Sequence, residues 1–220
     1  MSKLIVLKLS GHLIKHVDVI KQTLSELKSL PRIAEFVLVP GGSVFADFIK
    51  ELQAKLHFND NTAHWLAIKA MEMYGTYIAS LDESNTLVET YDLSEVQRAL
   101  NECKIPIIMP YRILQEHDEL PHSWNVTSDS IAIYIASLLN ANLVVLAKPV
   151  SRILGKELGL VRKLSTTDLR RLGVEILDPF AVDLLSKVRI PLVIYNVFNP
   201  HVLRHIVIRE SGDYVFVEPS

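Results

Sequence analysis

Three short stretches carry the residue types best suited to handling an anion: KLSGH at 8–12, VPGGS at 39–43 and TSDS at 127–130. Lys8 interrupts the apolar run LIVLKLS. A buried ammonium is costly unless an anion or a carboxylate meets it. On the outward face of an edge strand it would simply be solvated, and the stretch alone leaves both readings open. Ser10 and Gly11 follow at the turn. Gly41 and Gly42 let a backbone approach a ligand closely, and the helix expected after them offers unpaired N–H groups and a positive dipole end. In HSWNVTSDSIA, one of Thr127, Ser128 or Asp129 must cap the next helix. Asp129 then falls in the first turn, close enough to orient a lysine ammonium or to hold a metal ion.

Each signal is weak alone. Together they place glycine-lined helix starts, a lysine and an aspartate at strand ends, which is the equipment of phosphoryl transfer. The chain contains no GxxxxGK[ST] and no GxGxxG, so those two nucleotide-binding designs are excluded. His64, on the helical stretch TAHWLAIKAM, is either a hydrogen-bonded structural residue or a wall of an acceptor site. His122 and Trp124 could also wall that site, although Trp124 could equally pin a loop to the core, and His12 could reach a phosphate or stand in solvent. The four-spaced pairs His12/His16 and His201/His205 lack the companion Cys or Glu of a zinc site, and no metal-ligating residue is assigned. Met71 and Met73 stand two apart and cannot share one helical face, so at least one is core.

The elements that must position these groups alternate along the chain. Apolar strands are expected at 4–10, 34–40, near 86–89, and at 105–110, 142–149 and 190–196. Helical patterns are expected at about 17–30, 43–56, 61–79, 93–102 and 128–141, with STTDLRRLG and DPFAVDLLSKV ordered further on. HIVIRE and DYVFVEP flank Ser211-Gly212-Asp213 and read as a closing hairpin. The basic segment 150–163 reads as a surface excursion. Strand–helix alternation with nearly continuous apolar strands predicts an α/β fold, a three-layer αβα sandwich around a mostly parallel sheet. One domain over 1–220 is the simplest organisation, with two lobes meeting near 142–150.

Bulk properties narrow the class. A net charge of −2 with no basic cluster argues against a nucleic-acid groove or a membrane-surface patch. The single cysteine, Cys103, excludes an internal disulfide framework and favours a reducing, cytoplasmic setting. The opening MSKLIVLKLSG reads as a first strand, and no run approaches the roughly 20 apolar residues of a bilayer span.

The order of these segments resembles the amino acid kinase superfamily. Its lysine and glycine turn after the first strand are matched by Lys8, Ser10 and Gly11. Its Gly-Gly-Gly turn is matched by Gly41 and Gly42 with Ser43 in third place, and its hydroxyl–Asp pair by Ser128 and Asp129. The resemblance implies ATP as phosphoryl donor, Mg2+ as the usual metal, and a homo-oligomer. It implies an acceptor-binding lobe at about 1–140 and a nucleotide-binding lobe at about 141–220. Lys8, Asp129 and Lys148 would be catalytic, with Ser10, Gly11 and Ser128 on the ATP phosphates. Gly41, Gly42, Ser43, His64 and His122 would face the acceptor.

VPGGSVFAD, TAHWLAIKAMEMYG and LPHSWNVTSDSIA are similar to the branch that serves methanofuran biosynthesis, whose acceptor is [5-(aminomethyl)furan-3-yl]methyl phosphate. The C-terminal part is similar to archaeal uridylate kinases. Both branches add a phosphoryl group to an existing phosphate. The chain departs from the superfamily at AKPVSRI, where Ser151 and Arg152 replace an Asp-Gly turn. That departure leaves a non-catalytic nucleotide- or anion-binding protein as one alternative, beside a uridylate kinase.

Overall fold

β-Branched and leucine-rich runs with polar breaks every few residues build one twisted sheet, because such runs bury both faces of a parallel strand. The computed structural model describes residues 3–30, 33–150, 152–153, 156–157, 163–172 and 176–219. The chain opens with β1 (Lys3–Leu9), a 3-10 turn (Gly11–Lys15), α1 (Val17–Ser29), β2 (Ala34–Pro40), α2 (Ser43–Leu56) and α3 (Asp60–Ser80). It continues through β3 (Leu87–Thr90), α4 (Leu93–Asn101), β4 (Ile105–Ile108), α5 (Pro110–Glu116), α6 (Ser128–Leu138) and β5 (Leu143–Lys148). The small pair β6 (Arg152–Ile153) and β7 (Lys156–Glu157) precedes β8 (Lys163–Ser165) and α7 (Thr166–Leu172). α8 (Pro179–Val188), β9 (Leu192–Asn196), α9 (Val202–Ile208) and β10 (Tyr214–Glu218) follow.

The eight-stranded sheet has the order β3-β4-β2-β1-β5-β9-β10-β8, parallel except where β10 runs against β9. Residues alternate between two cores. Val6, Val37, Val144 and Ile194 face the layer of α4–α8. Ile5, Leu7, Phe36, Val145 and Val193 face the layer that includes α1 and α9. This is the expected αβα sandwich. β1 lies at the centre, hydrogen-bonded to β2 on one side and β5 on the other. The chain reaches β5 only after leaving the β2 side, so the strand order reverses between β1 and β5. A crevice opens beyond the carboxyl ends of strands at such a point.

The helices answer to local sequence. Asn59 caps α3 by accepting from Thr62 N, Asp92 caps α4 from Glu95 N, and Asp178 caps α8 from Ala181 N. α6 is apolar around its circumference, and every residue from Asp129 to Ala136 is buried. Two expectations need correction. HIVIRE is not a hairpin strand: Ile206 and Val207 repeat Val202 and Leu203 at four-residue spacing, bury with them, and form α9. β10 therefore pairs with β9 and β8 instead. IPIIMP ends its strand at Ile108, because Pro110 occupies the first turn of α5, where its missing N–H costs nothing. Of the expected excursion at 150–163, only parts lie within the described residues, and Ser151 lies outside them. Met71 is buried and Met73 exposed, as their spacing requires.

Candidate active site

Lys8 settles the first open question. It sits in the central strand, opposite Val39 of β2 and Leu146 of β5, and is only 6% exposed. Its parity is that of Val6, so it points to the face on which α6 packs. There Asp129, 3% exposed, receives it: Lys8 Nζ lies 3.0 Å from Oδ1. Lys148, the last residue of β5, donates to Oδ2 of the same carboxylate and to the carbonyl of Ile176. Burial opposes the charge on Asp129, but Lys8 and Lys148 outweigh it and hold its carboxyl below the usual range. Burial and the neighbouring Lys8 push the Lys148 ammonium down, against the attraction of Asp129. Two ammoniums share one carboxylate, so the buried cluster carries a net positive charge that an entering anion would neutralise.

The glycine turns meet above this cluster. Gly41 N donates to Leu9 O at 2.9 Å, and a Cβ on Gly41 would lie 2.5 Å from Gly11 N. A Cβ on Gly11 would press still closer on the backbone N of Ser43. The two turns touch backbone to backbone, which only glycine permits. Ser43 has φ 56°, the left-handed region, and its Oγ donates to Gly11 O at 3.0 Å. The third position of the family's triple-glycine turn is thus one where glycine is the unstrained residue. Here a serine holds it with a side-chain bond. Ser10 N donates to Ala147 O, and Tyr74 Oη donates to Ser10 O, fixing the first turn against β5 and α3.

A cleft of about 600 Å³ covers these groups. Lys8, Ser10, Gly11, Gly42, Ser43, His64, Ser128, Asp129 and Lys148 all line it. Gly41 and His122 are not on its wall: Gly41 sits beneath Gly11, and His122 stands behind His64. The two imidazoles stack at 4.1 Å. His122 is fixed by Asn61 at 2.7 Å and Asp118 at 2.8 Å. His12 is exposed and borders the cleft beside Ser10. Trp124 both lines the cleft and pins its loop, donating to Gln53 of α2 at 2.5 Å.

Burial, reinforced by His122 and partly opposed by Asp118, lowers the pKa of His64 to about 4. The unfolded chain takes up that proton near pH 6.5 while the folded one does not. Stability therefore falls as pH drops from about 6.5 to about 4. His64→Phe keeps a ring against His122 and should flatten the slope. Urea unfolding at pH 7 and pH 5 measures it; an unchanged slope would show that His64 is not the group responsible.

Asp178 gave no functional signal in the sequence beyond the Asp-Pro of an ordinary helix cap. It is buried and accepts from Thr127 N, Thr127 Oγ1 and Ser130 N through Oδ2. Through Oδ1 it accepts from Ser130 Oγ and Ala181 N. Its partners at Thr127 and Ser130 are some fifty residues away in the chain, which no local pattern reveals.

The residues do not form a resident metal cage. Both oxygens of Asp129 are engaged by lysines, and no group of three candidate ligands occurs among the described residues. A divalent ion would have to arrive on the phosphates of a bound nucleotide, as part of the substrate. Among the described residues no helix is long and apolar enough to cross a membrane.

The chain is thus an open α/β protein with a largely parallel sheet, whose crevice holds two lysines on one buried aspartate. Residues 3–196 match the Amino acid kinase family, and the chain belongs to it. It is 30% identical over 182 residues to the [5-(aminomethyl)furan-3-yl]methyl phosphate kinase of Methanocaldococcus jannaschii, covering 79% of this chain and 82% of that one. The fold is shared with the UMP kinase of Ureaplasma parvum at a TM-score of 0.74 and 15% identity, over 99% of both chains. It is shared equally with the uridylate kinase of Archaeoglobus fulgidus, at a TM-score of 0.73 and 16% identity over 97% of this chain and 99% of that one.

Proposed function

We propose that this protein is an ATP-dependent kinase whose acceptor is itself a phosphate ester, with [5-(aminomethyl)furan-3-yl]methyl phosphate the best candidate. The observation that carries the reading is the buried Lys8–Asp129–Lys148 cluster at the floor of the cleft. In the reaction, the bond between the γ-phosphorus and the ADP oxygen breaks, and a bond from an acceptor phosphate oxygen forms. Lys8 spreads the charge shared by donor and acceptor, and Lys148 meets the transferred group. The amides of Gly11 and Gly42 and the hydroxyls of Ser10 and Ser128 hold phosphoryl oxygens, with Ser43 and His64 on the acceptor side. No general base is needed, because an acceptor phosphate is already ionised near neutral pH. Mg2+ enters with ATP and neutralises its phosphates. The M. jannaschii relative's name supports the acceptor.

ADP release should require ATP and the aminomethylfuran phosphate, and should vanish in Lys8→Met. Turnover only with UMP would replace the acceptor, leaving the reaction type intact. Thermal stabilisation by ATP with no turnover on any phosphate ester would favour a nucleotide-binding protein without catalysis. We also read the protein as a homo-oligomer, because Val44, Phe48 and Leu56 of α2 and Leu66 and Met73 of α3 are exposed. Sedimentation at micromolar concentration tests this.

A further inference from the structure

We infer that Asp178 is the positioning residue of the phosphoryl-transfer cluster, holding Asp129 and Lys148 in register from one short segment. The inference rests on the kinase reading above for its catalytic meaning, but its geometry stands apart from it. Capping α8 requires one bond, and Ala181 N at 2.8 Å provides it. The remaining acceptor capacity is spent on α6. Thr127 N and Oγ1 reach Oδ2 at 3.0 and 2.8 Å, Ser130 N reaches Oδ2 at 3.0 Å, and Ser130 Oγ reaches Oδ1 at 2.5 Å. These partners lie just before and just after Asp129, so the carboxylate grips both ends of the short arc that presents it.

The same segment holds the other partner. Two residues before Asp178, the carbonyl of Ile176 accepts from Lys148 Nζ, which also donates to Asp129. Both members of the Lys148–Asp129 ion pair thus hang from residues 176–178. The negative charge of Asp178 further favours the charged form of Lys148. A carboxylate serves here where an amide cannot. Each of its oxygens meets at least one backbone N–H, and either placement of an asparagine NH2 would set a donor against a donor.

Asp178→Asn tests this at three levels. Steady-state kinetics should show kcat reduced about 10- to 100-fold with KM for ATP and acceptor within about threefold. In a Lys148→Met background the same substitution should cost clearly less in kcat than it does in the wild type, because only its hold on Asp129 remains to be lost. Independently of turnover, an amine-reactive reagent should label Lys148 at least about fivefold faster in Asp178→Asn, read by peptide mass spectrometry. Should Asp178→Asn fail to fold, Ser130→Ala removes one hydroxyl bond to Asp178 and leaves the caps of α6 and α8 intact, with the same three readouts. Unchanged labelling in a folded variant overturns the inference. So does a kcat loss that multiplies with that of Lys148→Met. A wild-type protein without turnover on any phosphate ester would sink the kinase reading alone, and the labelling result would still decide the role of Asp178.

Discussion

Asp129→Ala should destabilise the protein by about 3–5 kcal/mol, more than Lys8→Met does, although both should abolish turnover. The difference follows from the count of charges. Removing Lys8 leaves Lys148 against Asp129, a neutral buried pair, and the cost should stay at about 1–3 kcal/mol. Removing Asp129 leaves two ammoniums facing each other below the cleft without the carboxylate that both contact. Inorganic phosphate should therefore raise the melting temperature of Asp129→Ala more than that of the parent, since an anion takes the vacated role. Thermal melts with and without phosphate measure both effects. Equal destabilisation by the two substitutions would mean that the lysines are not held by a shared carboxylate. The kcat of Lys8→Met should fall at least about 100- to 1,000-fold, the range for losing one preorganised electrostatic contact.

Gly11→Ala should be the most damaging substitution of a residue without a functional side chain. Its Cβ would overlap backbone of Ser43 rather than the end of a flexible chain, so the two turns must separate. Overpacking of this kind costs about 1–3 kcal/mol, and shifting either turn by about 1 Å is enough to lose about 100-fold in rate. Ser43→Gly is the informative contrast. It relieves a left-handed φ but gives up the bond to Gly11 O, two effects of about 1 kcal/mol each and opposite sign. Its stability should stay within about 1 kcal/mol of the parent. Chemical denaturation and kcat for the two variants check the pair; a benign Gly11→Ala would show that the contact between the turns is not needed.

Much of this architecture is legible in the sequence, because period and capping are local properties. Apart from β8, the strands of the sheet, the start of α2 at Ser43 and the capped starts of α3 and α6 all follow from apolar spacing and short polar caps. Lys8 is legible for a different reason: a charge inside a buried run demands an explanation, and Asp129 supplies it. What local pattern misses is tertiary. The β-branched HIVIRE looks like a strand until Val202 and Leu203 are seen to extend its apolar face by a turn. Asp178 looks like a cap because it is one, and only the fold brings Thr127 and Ser130 to its other lone pairs. His122 reads as a wall residue in the sequence, whereas the structure sets it one ring behind His64.

α2 carries Ser43 at its first turn yet contains no buried residue, and Phe48 and Leu56 stand in solvent. Its hold on the body of the protein comes from α3, from Phe45 against the core, from Trp124 on Gln53 and from the Gly11–Ser43 contact, with no residue fully buried. Elements of that kind open at the low end of a protein's free-energy ladder, well before global unfolding. On the proposed function, a molecule bound between Ser43 and Asp129 would lend α2 further contacts and should slow hydrogen exchange along it.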